Sequence, residues 1–321
     1  MKHRNLKVYY LCILDFRHME NIILLFLCLI LGVTLQKVPQ FPKNAYQSLN
    51  QYVIYVSLPA MALYYIPKIT ISLALLYPLG IAWLGFGLSF VFFYALGTYF
   101  KWSKKLIGCL ILTGGLSNTS FVGFPIIEAL YGADGLKTAI IVDQPGSFVV
   151  VTTLGILVAA SFSRGNLSTS EILLKIIKFP PFIAFTIALF CTLFTLEFPE
   201  ALQNSFLRIG NTVTPVALVA VGLQLKIDTR SKHWSFLTLG LLFKLILMPA
   251  FFFLLYKIAL DGKGLEIDVS IMESAMAPMI TGAILASNYG LKPKLSSMMI
   301  GIGIPLSLIT IAIWYWVLSS F

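Results

Sequence analysis

Residues 114–125 read GGLSNTSFVGFP. This stretch places three glycines, four small polar residues and a proline inside an otherwise apolar run that extends from about Leu106 to Tyr131. A run of this length predicts a membrane-spanning helix, and proline removes a backbone donor from such a helix. Lipid cannot satisfy the freed peptide groups, so such a break survives only where it lines a cavity or meets protein. The stretch therefore predicts a helix that is broken in the middle of a membrane.

A second interruption has the same character. Residues 274–282 read SAMAPMITG, and the midpoints of the two interrupted runs fall near Asn118 and Pro278. Prolines also recur in the second and seventh apolar runs, at Pro59 and Pro215. A proline kink would explain one such break, but corresponding interruptions in two halves indicate a transporter built from repeats. Where a half-helix restarts, its free N–H groups and its dipole favour an anion.

The composition agrees with a protein that is embedded in a bilayer. Of 321 residues, 58% are hydrophobic and 11% charged, with a mean hydropathy of +0.89. Soluble domains carry about 25% charged residues, so the composition excludes a soluble class. Ten apolar runs predict spans at about Asn21–Leu35, Leu49–Ile66, Ile71–Phe100, Leu106–Tyr131, Leu136–Phe162, Ile172–Leu196, Leu202–Leu225, Trp234–Ile258, Ile267–Tyr289 and Leu295–Leu318.

These runs predict an all-α membrane protein with ten transmembrane helices. The breaks fall in the fourth and ninth helices, so the chain divides into two five-helix repeats, residues 19–163 and 164–321. Because five is an odd number, the second repeat enters the membrane upside down. The predicted fold is thus a pair of inverted repeats with broken helices 4 and 9.

The basic residues predict the orientation. The net charge of +10 comes from lysines and arginines between the apolar runs, which argues against a nucleic-acid partner. The richer set of loops holds Lys37, Lys43, Lys101, Lys104, Lys105, Arg164, Lys175, Lys178, Lys226, Arg230, Lys232, Lys292 and Lys294. By the positive-inside rule the loops of this set are cytoplasmic, and both chain termini are expected on the other side of the membrane. Basic residues before the first span conflict with that orientation, so we interpret residues 1–18 as an N-terminal extension or disordered tail ahead of Met19.

Ionisable residues inside the spans are expensive and often functional. Lys244 lies near the middle of the eighth span, while Asp143 and Glu273 lie about two turns from the centre of theirs. Lys244 either neutralises a substrate carboxylate or pairs with Asp143 or Glu273, and a static ion pair would explain the same pattern. Glu128 is expected near the interface at the outer end of the fourth helix.

The chain resembles the auxin efflux carrier family, which includes the plant PIN-FORMED carriers and bacterial permeases suggested for malate or malonate. The resemblance covers the chain from about Glu20. It rests on Leu58-Pro59, on the run from Asn118 to Pro125, on Pro215 followed by Gly222, and on Ala277-Pro278 followed by Ala286, Tyr289 and Gly290. It implies a scaffold domain and a transport domain, with helices 4 and 9 crossing at their breaks around a carboxylate. Asn118 matches the family's crossover asparagine, whereas the ninth helix has no asparagine at its break.

The predicted function is a secondary transporter of a small organic anion, such as malate or an auxin-like acid, working by alternating access in a plasma (bacterial inner) membrane. A sodium- or proton-coupled symporter or antiporter of a related broken-helix fold remains the alternative. An enzyme, a metal and a cofactor are not expected, because no His/Asp/Ser constellation or metal-ligand spacing is present. The expected partners are the anion, the lipid bilayer and a second copy in a homodimer. The candidate substrate-binding residues are Asn118, Thr119, Ser120, Gly123, Pro125, Ser274, Pro278, Thr281 and Lys244, and the candidate coupling residues are Asp143 and Glu273.

Overall fold

The computed structural model describes residues 23–24, 26–68, 73–163, 177–178, 180–224 and 234–321. The expected N-terminal extension, residues 1–18, lies outside this part of the chain. We number the helices α1 to α10, and a helix in two parts carries the letters a and b. The first half contains α1 (Phe26–Leu35), α2 (Ala45–Tyr52, Val53–Ser57 and Leu58–Tyr65), α3 (Leu76–Tyr99), α4a (Lys104–Gly115), α4b (residues 119–131) and α5 (residues 133–162).

The second half also contains long and interrupted helices. It contains α6 (Pro180–Leu193), α7 (Glu200–Gly210 and Val213–Gln224), α8 (Trp234–Ala259), α9a (Leu265–Ser274), α9b (Ile280–Asn288) and α10 (Pro293–Ser319). Within the described ranges the regular structure is helical, apart from an isolated two-residue β-bridge. The predicted all-α class is confirmed.

Several helices are long and apolar enough to cross a membrane. By length and composition, five stretches qualify in the part described here: Leu76–Tyr99, Thr119–Phe162, Glu200–Leu223, Trp234–Ala259 and Pro293–Ser319. The broken helices are shorter, with 12 residues in α4a, 10 in α9a and 9 in α9b. At 1.5 Å per residue these halves are roughly 14–18 Å long, about half of a 30 Å hydrocarbon core. Each half therefore has the length needed to reach the middle of a bilayer.

A glycine separates α4b from α5. Gly132 has φ +65° and ψ −163°, a conformation that side chains with a Cβ avoid. The chain kinks there between two helical segments, and the helical stretch Thr119–Phe162, counted across the kink, is 44 residues long. The turn lies where the sequence predicts the boundary between the fourth and fifth spans.

Helices α1 and α7 touch backbone to backbone. A Cβ added to Gly32 would lie 2.8 Å from the Cα of Gly222, and a Cβ added to Gly222 would lie 2.8 Å from the Cα of Gly32. Small residues allow membrane helices to approach this closely, which maximises van der Waals contact where the hydrophobic effect does not operate. Gly32→Leu would force the two helices apart.

Candidate functional site

The two breaks lie side by side and pair through their backbones. The N–H of Asn118 donates to the carbonyl of Ala277 at 2.8 Å, and the N–H of Met279 donates to the carbonyl of Leu116 at 2.9 Å. These bonds make an antiparallel bridge between Ser117 and Pro278. The bridge satisfies peptide groups that each broken helix leaves open, which lipid could not do. Helices 4 and 9 thus meet at their interruptions, as the family resemblance implies.

Lys244 ties the two breaks together. It lies in a wide-turn segment of α8, Phe243–Leu247, and its side chain is fully buried. Its Nζ donates to Ser117 Oγ at 2.6 Å and to the carbonyl of Ser274 at 2.7 Å. One acceptor belongs to each break, so Lys244 acts as a cross-link between them. This differs from the expected partners, because no ion pair joins Lys244 to Asp143 or Glu273 among the described residues.

Asp143 stabilises the start of α4b. It lies in the irregular segment Val142–Phe148 of α5 and is only 2% exposed. Its Oδ1 accepts hydrogen bonds from Thr119 Oγ1 at 2.6 Å and from Ser120 Oγ, and its Oδ2 accepts one from Gln144 Nε2 at 2.9 Å. Three donors converge on one carboxyl group, so both of its buried oxygens have hydrogen-bond partners. The hydroxyls predicted to bind substrate are therefore already occupied in this conformation.

Glu273 has the opposite environment. It lies near the end of α9a, is fully buried, and has no hydrogen-bond partner for either carboxyl oxygen within the described part of the chain. The carboxyl group packs on Gly123, where an added Cβ would lie 2.7 Å from Oε1 and closer still to Oε2. Lys244 and Asp143 are its electrostatic neighbours. Glu273 and Asp143 thus both lie beside the crossing. The sequence placed each of them about two helical turns from the centre of its span.

Asn118 caps the restarted helix. Its Oδ1 accepts a hydrogen bond from the N–H of Phe121 at 3.2 Å, while its buried Nδ2 has no partner among the described residues. Pro125 is the second residue of the regular α-helical part of α4b, which begins at Phe124. Ser274 donates its hydroxyl to the carbonyl of Ile271 at 2.6 Å, inside its own helix. Asn118 is therefore a predicted substrate-binding residue with an unused hydrogen-bond donor in the described structure.

A cavity of about 590 Å³ lies beside the crossing. Its inner wall includes the buried residues Phe121 and Ile280, and its outer rim includes exposed Gln47, Asn288 and Ser297. The rim lies at the end of the bundle that the sequence predicts to be cytoplasmic. The full lining is Tyr46, Gln47, Asn50, Gln51, Ile54, Phe121, Leu223, Ile280, Thr281, Ala283, Ile284, Ser287, Asn288, Ser297 and Ile300.

Of the predicted site residues, Thr281 lines this cavity, while the others are packed into the crossing next to it. The amide and hydroxyl residues of the lining were not predicted from the sequence. Asn50 is the most important of them, because its buried Oδ1 has no partner in the described structure. The available signal was the polar pairs Asn50-Gln51 and Ser287-Asn288 within predicted apolar runs. Both pairs lie toward the ends of their spans, where polar residues are expected anyway.

Glu128 is not simply interfacial. It is half-buried on α4b, and its Oε2 accepts a hydrogen bond from Thr214 Oγ1 of α7 at 2.9 Å. Thr214 directly precedes Pro215, the proline of the seventh span. The contact links the broken helix to α7 on the far side of the crossing from the cavity rim.

Residues 18–315 match the protein family described as "Membrane transport protein". The chain belongs to this family. This is the auxin efflux carrier family, so the resemblance drawn from the sequence motifs is confirmed. Membership makes the chain an integral membrane protein of a transporter family, not of an enzyme family.

Curated members of the membrane transport protein family include similar chains from archaea and bacteria. The uncharacterized transporter MJ1031 of Methanocaldococcus jannaschii is 29% identical over 308 residues, covering 94% of this chain and 99% of the relative. An uncharacterized transporter of Methanothermobacter thermautotrophicus is 27% identical over 64% of this chain and 66% of its own. The uncharacterized transporter YfdV of Escherichia coli is 23% identical over 68% of this chain and 70% of its own. All three relatives are described as transporters.

Proposed function

We propose that this protein is a secondary transporter that carries a small organic anion by alternating access, and that the anion binds where the cavity meets the start of α9b. The proposal includes a ten-span fold of two inverted repeats, residues 19–163 and 164–321. The matched breaks, the half-bilayer lengths of their halves and the family membership support this arrangement.

The observation that carries the proposal is the position of the α9b N-terminus. Helix α9b begins at Ile280, directly after the bridge at Pro278, and both Ile280 and Thr281 line the cavity. The first N–H groups of a helix have no carbonyl partner within it, and the helix dipole places partial positive charge there. A carboxylate in the cavity would accept these N–H groups together with the Thr281 hydroxyl.

The lining suits a small polar ion. Its polar groups are amides and hydroxyls, and none of the lining side chains is acidic or basic. A volume of about 590 Å³ lies within the usual range for small-molecule sites, roughly 300–1,000 Å³. Asn50 offers an amide with an unused polar atom, and amide oxygen and nitrogen positions are interchangeable by rotation. A mono- or dicarboxylate of a few carbons fits both the size and the donors.

The first test measures uptake of a panel of carboxylates into proteoliposomes. We expect Thr281→Val and Asn50→Leu each to raise KM about tenfold, the effect of losing one hydrogen bond to a charged ligand. Thr238→Val is the matched control, because Thr238 lies exposed on α8 and bonds only to its own helix, at the Trp234 carbonyl. No uptake of any carboxylate by the folded wild-type protein would contradict the proposal.

A specific observation favours proton coupling over sodium coupling. An ionised carboxylate that is fully buried without hydrogen bonds is very unfavourable, whereas a protonated one is tolerated. Glu273 is buried in this way, while Asp143 already has three donors. We therefore assign proton binding to Glu273, with Lys244 and Asp143 as its charged neighbours, and a static role to Asp143.

The second test compares uptake with and without an imposed pH gradient. We expect Glu273→Gln, which mimics the protonated acid, to transport at a rate that no longer responds to the gradient. Glu266→Gln is the matched control, because Glu266 lies exposed on the same helix, α9a. A Glu273→Gln protein that is still driven by the gradient would exclude this role, and a response to sodium alone would favour the sodium-coupled alternative.

A further inference from the structure

A second cavity lies away from the crossing, between the ends of α3 and α5. Its volume is about 880 Å³. We call it the α3–α5 groove; it is lined by Phe90, Tyr94, Gly97, Thr98, Lys101, Trp102, Lys104, Ile107, Leu157, Val158, Ser161 and Phe162. None of these residues belongs to the proposed transport site. The groove lies at the same end of the bundle as the rim of the transport cavity.

One part of the groove is an apolar wall that faces outward. Phe90 and Tyr94 stack one helical turn apart on α3, with ring centroids 5.6 Å apart and planes at 6°. Phe162 of α5 meets each of them edge-on at 6.4 Å. Leu157 is 49% exposed in the same wall, and in a membrane protein such a surface faces lipid tails. The wall offers an aromatic trough to a hydrocarbon chain.

The other part of the groove is cationic. Lys101 and Lys104 are both exposed and flank the turn between α3 and α4a. Lys101 has φ +56°, which ends α3 and turns the chain before Trp102. Neither lysine forms an ion pair with a described acidic residue, and no acidic residue lines the groove. The hydroxyl of Ser161 adds a polar group on the α5 side.

An apolar trough that continues into a pair of unpaired lysines matches one class of molecule. We propose that the α3–α5 groove binds an anionic phospholipid, with an acyl chain along Phe90, Tyr94 and Phe162 and the phosphate between Lys101 and Lys104. A free inorganic anion would use the lysines but not the wall. A zwitterionic lipid would use the wall but would gain less from two cations. Basic pockets between membrane helices are known to bind anionic headgroups in this way.

The groove includes the start of α4a, whose other end leads into the break. It also includes the end of α5, the helix that carries Asp143. Lipid bound there therefore contacts α4a, one half of a broken helix, and α5, the helix that carries Asp143, without entering the transport cavity. Its binding does not depend on which substrate is carried, so it can be tested separately from transport.

The experiment titrates the purified full-length protein in detergent with brominated phosphatidylglycerol and brominated phosphatidylcholine, and follows quenching of tryptophan fluorescence. Trp102 lines the groove, so Trp102→Phe identifies the signal that comes from it. We expect phosphatidylglycerol to bind about tenfold or more tightly than phosphatidylcholine, given the contribution of each lysine near an anionic headgroup. The double variant Lys101→Gln/Lys104→Gln should lose that preference.

The control is Lys37→Gln/Lys43→Gln, which removes two exposed lysines at the same end of the bundle but outside the groove. This control should retain the preference for phosphatidylglycerol. Glycerol phosphate serves as a soluble competitor, and complete displacement of the lipid by it at equal concentration would show a free-anion site and overturn the proposal. Equal binding of the two lipids, or unchanged binding by the Lys101/Lys104 double variant, would also overturn it.

Discussion

Lys244→Ala is expected to destabilise the protein more than any other single change at the crossing, and to abolish transport. The substitution removes the group that donates to Ser117 of one break and to the Ser274 carbonyl of the other. It also leaves a cavity where a long, fully buried side chain was. Loss of a buried side chain of this size and of two hydrogen bonds costs about 3–5 kcal/mol. The measurement is the midpoint of thermal unfolding in detergent, together with uptake in proteoliposomes.

Lys244→Met separates the two contributions. Methionine keeps most of the volume but cannot donate, so its unfolding midpoint should lie between those of the wild type and Lys244→Ala. Lys263→Ala is the matched surface control, because Lys263 is 80% exposed and its ion pair with Asp261 contributes little. If Lys244→Ala unfolded at the same temperature as Lys263→Ala, the cross-linking role would be wrong.

Asp143→Ala is expected to have the second largest effect. Three buried donors, Thr119 Oγ1, Ser120 Oγ and Gln144 Nε2, would lose their acceptor at once. Each buried polar group left unsatisfied costs about 1–3 kcal/mol, so we expect a loss of about 3 kcal/mol or more. Because two of these donors form the first turn of α4b, the start of that helix should loosen and transport should fail.

Asp143→Asn tests whether the role is that of an acceptor. The asparagine oxygen can still accept from Thr119 and Ser120, and Gln144 can rotate its amide because its oxygen has no partner in the described structure. The variant should therefore keep most of the stability and part of the transport, and its response to a pH gradient should remain. Loss of the gradient response in Asp143→Asn alone would move the proton-binding role from Glu273 to Asp143.

The sequence located the breaks because proline, glycine and small polar residues stand out against an apolar background. The sequence also predicted how deep Lys244 lies in the membrane, because depth follows from counting residues along a span. It could not give the partners of Lys244, because counting does not show which face of α8 meets which helix. Ser117 lies 127 positions from Lys244, and Asp143 lies 24 positions from Thr119. Only the packed structure assigns the lysine to the breaks and the aspartate to α4b.

The cavity was harder to predict than the crossing. Asn50 and Asn288 lie in different halves of the chain, and each is an ordinary residue for the end of a span. What they share is that both line the same cavity, and a single sequence does not show which residues line a common cavity. The restart at Ile280 was predictable, because a helix that begins again after a proline must expose its first N–H groups.

The glycine contact between α1 and α7 has a consequence for biosynthesis. Gly32 emerges from the ribosome early, but Gly222 is made 190 residues later, so the contact between their backbones cannot form until then. Helix α1 is translated well before α7, so it lacks this partner while most of the chain is made. Docking of α1 is therefore a late event in assembly, and a bulky residue at Gly32 or Gly222 would first show itself as poor yield of inserted protein.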